Sequence, residues 1–138
     1  MPPRRVVADL LREDLQLPGC KIGCDQAVCG ACTVLVDDLP VTACTTFAFE
    51  LEGKAVTTIE GLARDGGLHP IQRAFLEHGA FQCGFCTPGM ILSVKALLAR
   101  HPDPNEGLIR QWLSANICRC TGYQTIVEAV RAAVKGGD

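Results

Sequence analysis

Aromatic residues are scarce in this chain of 138 residues, at 5%, with one Trp, one Tyr and five Phe. The core must therefore come from Leu, Val, Ile and Ala, and hydrophobic residues do reach 48%. Clustered basic residues are also missing. With a net charge of −2 and no Lys/Arg patch to neutralise phosphates, nucleic-acid binding has no support. No apolar run approaches the ~20 residues that cross a bilayer. Met1 to Arg5 is basic, but Asp9 and the charged run Arg12, Glu13, Asp14 interrupt the next stretch of chain, which is not the pattern of a signal peptide. The expectation is a cytoplasmic protein with no membrane span and no nucleic-acid partner. The length suits one domain or two very small ones. A unit half this long is marginal on hydrophobic burial alone.

Cysteine is the residue in excess: there are nine. In a reducing compartment such density points to metal binding rather than disulfides. The odd count also argues against a fully paired disulfide framework. Eight of the nine fall into two groups. The first, Cys24-x4-Cys29-x2-Cys32 followed by Cys44, has plant-type ferredoxin spacing. A 2Fe-2S cluster has two irons, each taking two thiolates. A tight loop can supply three, and a neighbouring segment the fourth. Gly23 and Gly30 suit a loop whose backbone must come close to a negatively charged cluster. A zinc knuckle is the alternative, though zinc more often uses paired Cys-x2-Cys hooks.

The second group is Cys83-x2-Cys86, answered by Cys118-x-Cys120. Cys-x2-Cys alone is ambiguous among zinc, iron-sulfur and a redox dithiol. A dithiol would want a strand before it, and the surroundings here read as helical. Eight thiolates match the demand of two 2Fe-2S clusters. Bound metal would also staple small units together, because metal binding is coupled to folding. Cys86 and Cys120 are each expected just before a helix, where free N–H groups stabilise thiolates. Cys20 lies outside both groups and reads as a spare thiol beside the first loop.

The pattern along the chain predicts an amphipathic helix over residues 5–15, ended by Pro18-Gly19. Strands are expected over 33–37, 41–43 and 55–59. Residues 61–69, with Asp65-Gly66-Gly67, read as a linker. Beyond it the period becomes helical, with helices over 70–78, 88–100, 106–115 and 125–134. Pro70 suits a first helical turn, and Thr87 is expected as an N-cap before Pro88. The fold class is therefore α+β: a small mixed unit over 1–60, the linker, and a four-helix unit over 70–138. His69, His78 and His101 read as surface or helix-end residues.

Three stretches carry a resemblance. They are Gly19–Val34 (GCKIGCDQAVCGACTV), Gln82–Met90 (QCGFCTPGM) and Asn116–Tyr123 (NICRCTGY). Together they resemble the iron-sulfur part of the molybdenum hydroxylase family, over about residues 7–134. That family includes xanthine dehydrogenases, aldehyde oxidoreductases, aerobic carbon monoxide dehydrogenases and hydroxylases of N-heterocycles. The resemblance implies an N-terminal β-grasp 2Fe-2S ferredoxin-like domain followed by a four-helix 2Fe-2S-binding domain. It implies that Cys24, Cys29, Cys32 and Cys44 hold the cluster facing flavin. Cys83, Cys86, Cys118 and Cys120 would hold the cluster facing the molybdenum-pterin cofactor. Gln82 matches a glutamine that hydrogen-bonds the pterin, and Cys120 the ligand nearest to it.

The resemblance further implies an electron-transfer small subunit with no substrate site of its own. Its partners would be a large molybdenum-pterin subunit and a medium FAD subunit, in a dimer of heterotrimers. In some relatives a cytochrome replaces the flavin subunit. The reaction would be oxidative hydroxylation of an N-heterocycle, a purine, an aldehyde or a similar small molecule. Rival readings are a free-standing two-cluster ferredoxin, a zinc-binding adaptor, and a subunit of an aromatic thioester reductase or carbon monoxide dehydrogenase. Three departures from the family pattern stand out. The usual N-terminal β-hairpin is missing, so the β-grasp unit looks truncated. Position 27 is Ala where Gly is common, which is tolerable unless φ is positive. Cys20 replaces a common Thr.

Overall fold

A computed structural model of the chain describes residues 1–135. The last part of the expected 70–138 unit, residues 136–138, lies outside the described residues.

The first helix, α1, is α-helical over Val7–Asp9 and continues as a π-helix over Leu10–Asp14. A regular α-helix was expected here. The difference follows from competition for one carbonyl. Leu11 O is taken by Leu17 N–H at 2.8 Å, so Leu15 N–H reaches back to Leu10 O at 3.0 Å. The Arg5 guanidinium ties the end of the helix to its start through Glu13 and Asp14, each at 2.8 Å.

Three strands form one antiparallel sheet in the order β2-β1-β3, with β1 Thr33–Val36, β2 Leu39–Thr42 and β3 Val56–Thr57. Asp37 and Asp38 join β1 to β2, both left-handed (φ 49° and 66°), the geometry that matches hairpin twist. β3 is shorter than expected because Ile59–Gly61 winds into a 3-10 turn. A second such turn, Ala48–Leu51, was not anticipated.

The helical half contains α2 Pro70–Glu77, α3 Thr87–Arg100, α4 Glu106–Leu113 and α5 Gln124–Lys135. His69 caps α2 by accepting Ile71 N–H at 3.2 Å, while Gln72 accepts His69 N–H at 2.9 Å. Asn105 caps α4 through Leu108 N–H at 2.8 Å. Thr87 is not the cap of α3 but its first residue. Cys86 takes the cap position, because its carbonyl accepts Met90 N–H at 3.0 Å and so starts the ladder. α4 ends before the expected Ala115, with Ala115 N–H and Asn116 N–H closing tighter turns onto Trp112 O and Leu113 O.

β1 is buried on both faces. Val34 and Val36 pack with Val7, Ala8 and Leu11, while Leu35 joins the core built by α2 to α5. The strand is thus a wall shared by two cores, and it carries the first cysteine loop at its N-terminal end.

Candidate metal centres

The first loop winds through three left-handed residues, Asp25, Ala27 and Gly30 (φ 58°, 61° and 75°). This winding turns successive N–H groups inward, as in an anion nest. Cys24 Sγ accepts from Gln26, Val28 and Cys29 N–H at 3.4, 3.2 and 3.3 Å. Ala27 N–H donates to Cys44 Sγ, Ala31 N–H to Cys29 Sγ and Cys44 N–H to Cys32 Sγ, each at 3.4 Å. The N–H groups of Cys29, Val28 and Gln26 bring the Cys24 thiol down to about 6. Burial pushes Cys32, the innermost member, up to about 12. The glycine at 23 leaves room for sulfur, since a Cβ there would lie 2.9 Å from Cys29 Sγ.

The second group is brought together by helix ends. Cys83 and Cys86 lead into α3, and Cys118 and Cys120 lie in the turn between α4 and α5. Cys120 Sγ stands 3.7 Å from Cys83 Sγ. Cys86 and Cys118 line the same cavity as that pair. Thr121 Oγ1 donates to Cys118 Sγ at 3.1 Å, and Cys118 N–H donates to the Tyr123 hydroxyl at 2.9 Å. The roles of Thr121 and Tyr123 were not read from the sequence. The hydroxyls three and five residues after Cys118 were the available signal.

Cys86 does directly precede α3 as expected, yet its thiol is raised rather than lowered. Burial, and then Cys118, push Cys86 up to about 12. Cys120 is not at a helix start at all, because α5 begins at Gln124, and sharing a proton with Cys83 raises it. Burial also raises Cys118, but the Thr121 hydroxyl and nearby N–H donors outweigh it and leave this thiol lowered.

Hydrogen bonds link three cysteine pairs, Cys29 N–H to Cys24 Sγ, Cys44 N–H to Cys32 Sγ and Cys120 Sγ to Cys83 Sγ, and Cys86 and Cys118 line the same cavity as the last of these. None of the nine is in a disulfide. Among the described residues, no three ligating side chains gather as for a single ion. Pairs fit a cluster with two irons better than the closed fourfold cage of structural zinc. Inward N–H groups supply the donors that an anionic cluster needs.

The two groups adjoin. A cavity of about 290 Å³ is lined by Gly23, Cys29 and Ala31 from one side and by all four cysteines of the second group from the other. Ile117 N–H donates to Cys29 O at 2.8 Å, across the gap. Cys83, Cys120 and Gln82 are exposed, next to exposed Phe85 and Ile117. Gln82 thus sits beside the outward pair of the second group. Lys21 points away from the sulfurs, donating to Pro18 O at 2.8 Å. Gly30 contributes its carbonyl, which accepts from Thr33 and Asn116. Cys20 is buried, donates to Cys32 O at 3.5 Å and is pushed up to about 11 by burial. The three histidines sit at helix ends, at the start of α2 and just after α2 and α3.

Residues 58–131, more than half of the chain, match the family model of the [2Fe-2S] binding domain. The nicotine 6-hydroxylase small subunit of Paenarthrobacter nicotinovorans is 50% identical over 127 residues, covering 92% of this chain and 76% of that protein. The nicotinate dehydrogenase small FeS subunit of Eubacterium barkeri is 50% identical over 133 residues, covering 96% and 85%. This chain belongs to the iron-sulfur subunits of the molybdenum hydroxylase family. It is accordingly an electron-transfer component of an oxidoreductase, with iron-sulfur as its cofactor class. Quinoline 2-oxidoreductase of Pseudomonas putida 86 superposes with a TM-score of 0.95 at 44% identity, covering 99% of this chain and 85% of that one. The superposition extends the mixed helix-and-sheet likeness over both cysteine groups, whereas the family model begins after the first. Among the described residues no helix is long and apolar enough to cross a membrane.

Proposed function

We propose that this chain holds two 2Fe-2S clusters and relays electrons from a molybdenum-pterin centre on a large subunit to FAD on a medium subunit. Cys24, Cys29, Cys32 and Cys44 would hold one cluster, and Cys83, Cys86, Cys118 and Cys120 the other. The observation that carries the reading is the arrangement of eight thiols in two adjoining groups, four of them met by inward backbone N–H donors and four lining one cavity. When bound, such clusters take up and release single electrons.

This chain's own residues supply position and route. The exposed Cys83–Cys120 pair, with Gln82 beside it, is placed to face a pterin on a partner. The Ile117–Cys29 hydrogen bond gives a short path from Cys118 to the first group. The tip of the first loop, with Val28 60% exposed, is the face offered to flavin. We read residues 1–60 as a β-grasp-type unit, 61–69 as its connection and 70–138 as the four-helix unit.

The complex is read as cytoplasmic, where thiols stay reduced, and as a dimer of heterotrimers. Its substrate is a small N-heterocycle, purine or aldehyde. The names of the relatives, which carry nicotine, nicotinate and quinoline, favour the N-heterocycle. The chemistry itself belongs to the large subunit, so the same module would also serve a carbon monoxide dehydrogenase or an aromatic thioester reductase. Isolation of the native complex is the test. Co-purification of a molybdenum subunit and a flavin subunit is the expected result. A stable monomer that never associates would instead favour a free-standing ferredoxin.

A further inference from the structure

Gly30 and Asn116 are 86 positions apart, yet Asn116 Nδ2 donates to Gly30 O at 3.0 Å. The same amide donates to Thr33 Oγ1 at 3.3 Å, and that hydroxyl donates to Gly30 O at 2.7 Å. Asn116 is 3% exposed, so these bonds replace water it no longer has. The approach is close enough to require glycine. A Cβ on Gly30 would collide with Ala115 O and lie 2.7 Å from Asn116 Nδ2. Gly30 also has φ 75°, a left-handed conformation. Asn116 is thus a side-chain bolt between the two cysteine loops. The next residue, Ile117, makes the backbone hydrogen bond to Cys29 O, and the one after it is Cys118.

We infer that Asn116 is a positioning residue that holds the two cysteine loops in the register of the Cys29–Ile117 hydrogen bond, and so sets the electronic coupling between the clusters. The inference rests on the two-cluster reading. The side-chain hydrogen bonds of Asn116 go to Gly30 O and Thr33 Oγ1, not to sulfur. Asn116 fixes the neighbouring peptide through which the two groups connect. Asp is nearly isosteric but presents acceptors to the Gly30 carbonyl, so Asn116→Asp should open the seam. Asn116→His keeps an N–H donor at similar reach. The cavity of about 510 Å³ bordered by Thr33, Trp112, Ala115 and Asn116 gives its ring room.

The test uses the full chain carrying its iron, as wild type, Asn116→Asp, Asn116→His and Thr33→Val. Four readouts are taken: iron and sulfide content, the magnetic interaction between the two reduced clusters by EPR, the potential of each cluster, and the rate of electron exchange between them. In Asn116→Asp, iron content should hold, while the added carboxylate lowers the potentials of both clusters. The magnetic interaction should weaken and the exchange rate fall about tenfold, the population change expected for breaking one buried hydrogen bond. Asn116→His should recover most of the rate, and Thr33→Val should lie between. Unchanged coupling and rate in Asn116→Asp, with full iron and two EPR signals, would overturn the inference and leave the two-cluster reading intact. Loss of iron in that variant would overturn it too, assigning Asn116 to cluster assembly. A wild-type chain with one EPR signal would remove the two-cluster reading itself.

Discussion

Ala27 shows how one residue records the demand of the site. Its φ of 61° turns its N–H toward Cys44 Sγ. A left-handed L-residue costs about 1–2 kcal/mol, and glycine would remove that cost. Ala27→Gly should therefore raise stability by ~0.5–1 kcal/mol, after glycine's extra unfolded-state entropy is subtracted. A urea titration checks this as a higher midpoint at unchanged slope. The sequence marked position 27 as unusual but could not supply its φ, which is set by a sulfur 17 residues away. Thr121 gives a second residue-level expectation. Thr121→Val deletes the hydroxyl donor to Cys118 Sγ. With one fewer hydrogen bond on sulfur, the second cluster should become harder to reduce while the first is unaffected. Redox titration followed by EPR separates the two. A shift of the first cluster, or none at either, would contradict the assignment of Thr121 to the second group.

At the scale of elements, α3 and the first loop meet through two glycines. A Cβ on Gly89 would collide with Gly30 O and lie 3.0 Å from Ala31 O. Both sides of that contact are backbone, so neither can rotate away. Gly89→Ala should cost about 3 kcal/mol, the upper end of ordinary overpacking, and should loosen iron held by Cys29 and Cys32 before iron held by the second group. Thermal denaturation and selective iron loss are the readouts. Much of the helical half was legible beforehand. Pro70 and Pro88 marked two starts, and the helical period placed α4 and α5 to within a few residues of where they lie. The π-winding of α1 was not legible, because it arises from Leu17 N–H claiming Leu11 O. Nor was the cap of α3, where a Thr-Pro pair looked sufficient until Cys86 O proved to begin the ladder.

At the scale of the whole molecule, two features organise the chain: β1 with a face in each core, and eight thiols in two adjoining groups. Cysteine spacing made the groups readable, because ligand spacing within a loop is a local property. How the groups meet was not readable. It depends on Gly30, Gly89 and Asn116 touching across long sequence separations, with no periodic signal to announce it. Leu35 is the residue of β1 that faces the helices and is 1% exposed. Leu35→Ala should cost about 2–5 kcal/mol and lower the midpoint seen by visible absorption and by far-UV circular dichroism together.

The central claim, two clusters on these eight cysteines, is tested most directly by counting iron and sulfide in the purified chain alongside EPR of the reduced protein, for wild type and Cys120→Ser. The account predicts about four irons and four labile sulfides per chain and two distinguishable signals, with Cys120→Ser altering the signal of the second group alone. About two irons per chain, zinc in place of iron, or loss of the first group's signal in Cys120→Ser would contradict it.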